Sequence, residues 1–130
     1  MGIIRQAIRL SNFSRPDLDD IDALALVDSG ALELCIPQHV ANQLRLPVLA
    51  DREVTIADGS RQIVPYVGGI RVEVFGRATV VSANVLGNEV LLGAIPMEAM
   101  DLVIHPARLQ VMPNPDSPNI PGSISMGVRP

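Results

Sequence analysis

Ala25-Leu26-Val27-Asp28-Ser29-Gly30-Ala31 sets one acidic residue in a tight turn directly behind an apolar run. Residues 24 to 27 read as a strand buried on both faces, and Ser29 and Gly30 are turn formers that can donate hydrogen bonds back to the aspartate. The end of a buried strand is a costly place for a lone carboxylate. Asp28 therefore needs either hydrogen-bond partners or a chemical task.

Working outward, residues 2 to 12 mix apolar and polar residues at near-alternating spacing and predict a first strand, ended by the turn signal Ser14-Arg15-Pro16-Asp17. An acidic loop carrying Asp17, Asp19, Asp20 and Asp22 leads into a second strand, Ile21 to Val27. That loop lacks the glycine and the terminal glutamate of a calcium loop and reads as a solvated turn. Beyond Gly30, Leu32 to Ile36 alternate as a short strand. Pro37, at a first helical position, opens a helix to Leu44 that Pro47 prevents from continuing. Residues 53 to 57 and 61 to 67 form two strands around Asp58-Gly59, a dipeptide favoured in tight hairpins. Val72 to Phe75 and Ala78 to Val85 pair around Gly76-Arg77, and Glu89 to Leu92 begins the last core strand. Residues 95 to 101 have the composition of one or two helical turns, Leu102 to Ile104 resume a strand, and Leu109 to Met112 can pair with it. The spacings describe an all-β body with one or two short helices over residues 1–112. From Pro113 to Pro130 prolines are spaced by Asn, Ser, Gly and Asp, a flexible tail that forms no packed element by itself.

The totals bound the answer. At 130 residues and 13.9 kDa the chain holds one modest core. Apolar residues make up 48% but aromatics only 2%, so Val, Leu, Ile, Ala and Met must build that core, as suits a small β-rich domain. No stretch approaches the roughly 18 apolar residues of a membrane helix and no signal segment opens the chain, so a soluble cytoplasmic protein is expected. A net charge of −4, without basic clusters interleaved with aromatics, argues against nucleic acid as a partner. Cys35 is the only cysteine, and with His39 and His105 it lacks the paired spacing of a structural zinc site. No metal or cofactor is called for.

Val27-Asp28-Ser29-Gly30-Ala31 resembles the apolar-Asp-Thr/Ser-Gly-Ala signature of the retropepsin-like aspartic proteases. Val90-Leu91-Leu92-Gly93 resembles that family's two-apolars-then-Gly motif, and Thr55-Ile56-Ala57-Asp58-Gly59-Ser60, lying between them, resembles its flap hairpin. The three motifs fall in the family's order across about residues 20 to 106. The resemblance implies a small closed β-barrel-like acid-protease fold that works as a symmetric homodimer. It makes Asp28 the catalytic residue, Ser29 the hydroxyl that buttresses the paired loops, and Gly30 the point of close backbone approach. Ala31 leaves room beside the scissile bond. Gly93 would pack against the catalytic loop with Leu91 and Leu92 beneath it, and Ala57, Asp58, Gly59 and Ser60 would close over an extended polypeptide whose side chains enter pockets lined by Leu32, Ile56 and Val64.

Peptide hydrolysis without a metal or a nucleophilic side chain needs one carboxylate to take a proton from water and a second carboxyl to protonate the carbonyl oxygen. Two such groups about 3 Å apart share one proton. Asp58-Gly59-Ser60 has glycine directly after the aspartate and fits the flap better than a second catalytic copy. One Asp-Ser-Gly per chain therefore requires two chains, each bringing Asp28 to a two-fold axis. Two other readings stand beside this one. A non-catalytic dimeric module for peptide binding or assembly could keep the same body, since Ala94 replaces the charged residue that viral members often carry after the glycine and the flap is short and polar. Cys35 and His39, four residues apart, would suit a cysteine hydrolase.

Overall fold

A computed structural model describes residues 3–129; Gly2, at the head of the expected first strand, and Pro130, at the end of the tail, lie outside the described residues. The chain forms β1 (Ile4–Asn12), β2 (Ile21–Val27), β3 (Leu34–Ile36), α1 (Gln38–Gln43), β4 (Val48–Thr55), β5 (Arg61–Val74), β6 (Arg77–Val85), β7 (Leu91–Leu92), α2 (Ala94–Ala99), β8 (Leu102–His105) and β9 (Gln110–Pro113). Six strands in the order β1-β2-β7-β3-β6-β5 close into a mixed barrel, because β1 pairs with β2 along most of its length and with β5 through Arg9–Asn12. β4 lies outside the ring as an edge strand on β5, and β8 and β9 form a separate hairpin. The fold is thus mostly β, with two short helices.

Alternation drives the closure. β1 turns Ile4, Ile8, Leu10 and Asn12 inward and Arg5, Ala7 and Arg9 outward, so one face of the strand joins the core and the other meets water. Asn12 is the polar residue on the inner face, and its groups are satisfied: Nδ2 donates to Leu44 O at 2.8 Å and Oδ1 accepts the Ser14 amide at 2.9 Å. This bond ties the end of β1 to the end of α1. On α1, Val40 and Ala41 pack into the core, with Leu44 at its C-terminal cap, but Pro37 is the extended N-cap rather than the first helical residue.

Three further strand expectations differ from the structure. β2 is not buried on both faces: Ala25 and Val27 point into the barrel, whereas Leu24 is 61% exposed. Its neighbours β1 and β7 cover its edges, and on its outer face Asp22 and Leu24 stay exposed among the described residues. Residues 61–67 and 72–75 are not separate strands but parts of the 14-residue β5. The Gly68-Gly69 pair makes this continuity possible: Gly69 takes φ +73, the register against β6 shifts between Val67 and Ile70, and the strand bends to serve two sides of the barrel. β3 begins only at Leu34, because Ala31 and Leu32 give their carbonyls to the first amides of α2 instead of to a strand.

The proline-spaced segment is tied to the body as far as Gly122. Arg77 is buried, and its guanidinium donates to the carbonyls of Met100, Asp101 and Ser117. Asp101 takes a left-handed backbone (φ +54) just after α2, and its carboxylate accepts Asn114 Nδ2 at 3.0 Å and the Gly122 amide at 2.7 Å. Beyond Gly122 the apolar side chains Ile124, Met126 and Val128 are exposed.

The Asn114 and Gly122 hydrogen bonds hold the Asp101 carboxyl below the usual carboxylate range. A depressed folded pKa gives stabilisation that is complete above the unfolded value of about 3.9 and is lost as pH falls through the folded value. Hydrogen exchange at the Gly122 amide, corrected for its intrinsic rate, should therefore lose protection as the pH drops below about 4. Asp101→Ala should remove that protection at every pH.

Candidate active site

β7 lies between β2 and β3, parallel to β2 through Leu26↔Leu91 and Val27↔Leu92 and antiparallel to β3 through Cys35↔Leu91. The chain leaves the sheet on both sides of β7, and the two departing loops meet at Gly93. Asp28 sits at the first of these exits: its amide donates to Leu92 O at 3.1 Å, its Oδ1 accepts the Gly30 amide at 2.9 Å, and its carbonyl accepts the Ala31 amide at 3.2 Å. This Asx turn projects the carboxyl out of the strand end, and Asp28, Ser29 and Gly30 are all exposed in the single chain.

The turn rests on Gly93. The amides of Ala94 and Ile95, at the start of α2, donate to Ala31 O and Leu32 O at 2.8 Å each. A Cβ on Gly93 would stand 2.9 Å from Ala31 O, 2.8 Å from Leu32 O and nearer still to Glu33 O. No side chain fits there, which explains why glycine follows Leu91-Leu92.

Three hollows meet at this turn. One, of about 510 Å³, runs between Asp28, Gly30 and Ala31 on one wall and Val54 to Ala57 on the other, with Cys35, Leu86 and Leu91 completing it. The second, of about 350 Å³, continues it past Ala31 and is bounded by Leu32, Glu33, Cys35, Arg52, Thr55 and Asn84. The third, of about 550 Å³, opens on the opposite side of Asp28 and Ser29 and is mainly apolar, lined by Ile3, Leu26, Ile104, Pro106 and Leu109. Two hollows of similar size lie elsewhere, one beside Arg9, Asp22 and Phe75 and one beside Asp101 and Asn114, and neither reaches a residue of the Asp28 turn.

The β4–β5 hairpin turns at Asp58-Gly59 as its sequence predicts, but its first strand runs over Val48–Thr55 rather than residues 53 to 57. Gly59 takes φ +86, and Asp58 Oδ1 accepts the Ser60 amide at 2.8 Å. Bonds from the Ser60 hydroxyl and amide lower the Asp58 carboxyl's pKa. Ala57 and Ile56 share the first hollow with Asp28, whereas Asp58, Gly59 and Ser60 stand at the exposed tip and do not line it. Leu32 lines the second hollow, and Val64 is buried behind the hairpin and lines neither.

Several lining residues carry no motif. Arg52 lies on β4 with its guanidinium 3.9 Å over the Tyr66 ring and 3.8 Å from the Glu33 carboxylate, bridging the hairpin to the Asp28 loop. Cys35 and Asn84 are register partners on the parallel β3–β6 pair. Burial, and after it the Glu33 carboxylate, push the Cys35 thiol up, so it stays protonated near neutral pH and is a poor nucleophile. His39 is exposed on α1 and makes no hydrogen bond to it among the described residues. Nor do the described residues group three or more His, Cys, Asp or Glu side chains as a metal site would require. No helix among the described residues is long and apolar enough to cross a membrane.

The sequence matches no protein-family model and no curated protein.

Adding one methyl group at Gly93 should disturb the whole constellation. Gly93→Ala is expected to lose about 3 kcal/mol of stability in urea unfolding, the upper end of what overpacking costs, because the obstructing atoms are backbone carbonyls that cannot rotate away.

Proposed function

We propose that the protein is a homodimeric aspartic endopeptidase of the retropepsin type, with Asp28 of each chain forming the catalytic pair. One observation carries this reading: a lone, exposed Asp-Ser-Gly turn lies between a peptide-sized groove under a hairpin and an apolar hollow that a single chain leaves open. Ile3 is 74% exposed beside that hollow, and Leu109 also reaches the surface there. A second copy related by a two-fold axis would cover these residues and bring its own Asp28 to the first.

In the assembled pair the two carboxyls hold one proton between them. As a water oxygen bonds to the substrate carbonyl carbon, the ionised Asp28 takes a proton from that water and the protonated Asp28 gives its own to the carbonyl oxygen. Collapse of the tetrahedral intermediate breaks the C–N bond, with the proton delivered to the leaving nitrogen. Gly30 and Ala31 leave space for an extended peptide between the turn and residues 54–57. Ser29 supplies the hydroxyl facing the partner loop, and the hairpin with Ala57 to Ser60 at its end closes over the chain. No cofactor takes part.

Cleavage of a mixed peptide library followed by mass spectrometry between about pH 4 and 7 tests the chemistry, with a bell-shaped dependence expected for an acid and a base acting together. Asp28→Asn should abolish every cleavage while leaving the dimer intact in sedimentation. A dimer that binds peptides but cuts none would instead be a binding or assembly module. Ile3→Asp combined with Leu109→Asp should shift the protein to monomer and abolish cleavage with it.

A further inference from the structure

Strand β4 carries one wall of the groove on little support. It is the last strand of its sheet, and of its eight residues only Val54 is even partly buried. The residues that follow it, Ile56 and Ala57, still share the first hollow with Asp28. Arg52 is the polar side chain of β4 that reaches across. Cys35, Asn84, Tyr66 and Ala50 are successive register partners on β3, β6, β5 and β4, so their side chains share one face of the sheet, and Arg52, two residues beyond Ala50, shares it too. On a flat sheet, strands three places apart are separated by about 14 Å. The Arg52 guanidinium instead lies 3.9 Å over the Tyr66 ring and 3.8 Å from the carboxylate of Glu33, in the loop before β3. The sheet therefore curls, and Arg52 spans the second hollow from one wall to the other.

The two ends of this bridge differ in stiffness. Glu33 O is the atom nearest to a Cβ built on Gly93, so the Glu33 end belongs to the loop pressed against the start of α2. The Arg52 end belongs to the edge strand. Among the described residues no other ion pair or hydrogen bond joins residues 48–60 to the Asp28 loop, and the second ion pair of the hairpin, Arg61 with Glu53, ties the hairpin only to itself. The contact that a weakly held wall makes with a fixed one sets the gap between them.

We propose that Arg52, stacked on Tyr66 and facing Glu33, is a latch that holds the β4–β5 hairpin over Asp28, so that releasing this pair opens the groove. Arg52 and Glu33 are positioning residues that act through the hairpin. That the latch governs cleavage rests on the endopeptidase reading; that it governs access to the groove does not.

Cys35 reports that access, because it lines both hollows together with Val54 and Thr55 of the hairpin. Its alkylation by N-ethylmaleimide in the full-length protein is followed across pH, which separates its accessibility from its thiol pKa, raised by burial and then by Glu33. Referred to the thiolate, the rate should rise about two- to fivefold in Glu33→Gln, the range for an ion pair of this exposure, and at least as much in Arg52→Gln, which also loses the ring contact. The double variant should rise no further than Arg52→Gln alone, since both substitutions break one contact. Raising the salt from about 0.05 to 1 M should speed alkylation of the wild type and leave Glu33→Gln unchanged. With the dimer intact, kcat/KM for a cleaved peptide should fall in the same order as the alkylation rate rises. Alkylation that is unchanged in the variants, additive in the double variant or indifferent to salt overturns the latch. Coupled, salt-sensitive alkylation in a protein that cuts no peptide keeps the latch and refutes the endopeptidase, and the same alkylation with cleavage unaltered overturns its part in cleavage.

Discussion

The close approach of the Gly93 backbone to the carbonyls of Ala31, Leu32 and Glu33 constrains everything around Asp28. Strand β7 has only two residues, too short to hold two loops in place through its ladder alone. The loop after Asp28 is instead pressed against the start of α2, where the Ala94 and Ile95 amides take its carbonyls. A side chain at residue 93 would force the two backbones apart. Because the Asp28 amide hangs on Leu92 O, one residue away, the orientation of the carboxyl depends on the same contact.

Polar groups inside the barrel divide by what they do. Asn12 bonds the C-terminal end of α1, and Arg77 gathers three carbonyls to hold residues 114–122 against the body; each is buried and satisfied, as a core requires. Asn84 is buried to a similar degree without meeting that requirement, and it borders the groove.

Much of this architecture was legible because it follows local rules. The alternation of β1, the Asp58-Gly59 hairpin, the turn at Gly76 and both short helices are set by neighbours a few residues apart, and each lies within a few residues of where its signal falls. Local rules failed where the partner was distant. β5 looked like two strands because Gly68-Gly69 interrupts its pattern, yet its pairing with β6 runs across the interruption, with β4 paired before it and β1 after it. Leu24 to Val27 looked doubly buried because four apolar residues in a row do not reveal that one face lies open. The segment after Pro113 has the composition of a flexible tail, and the buried guanidinium of Arg77, far away in sequence, together with the Asp101 carboxylate holds its first part in place.

The candidate site divides in the same way. By itself the sequence determined the Asp28-Ser29-Gly30 turn and the hairpin at Asp58-Gly59, because backbone conformation and hydrogen bonding within a few residues set both of them, whereas the need for glycine at residue 93 comes from the distant carbonyls of Ala31, Leu32 and Glu33. Only the tertiary structure decided that Ala57, but not Asp58, Gly59 or Ser60, faces Asp28, and that Glu33, Arg52, Cys35 and Asn84 gather around one hollow. Those four residues come from the loop before β3 and from strands β4, β3 and β6. Their meeting depends on strand order and register around a closed barrel, which arise from long-range pairing and leave no mark in the local pattern of residues.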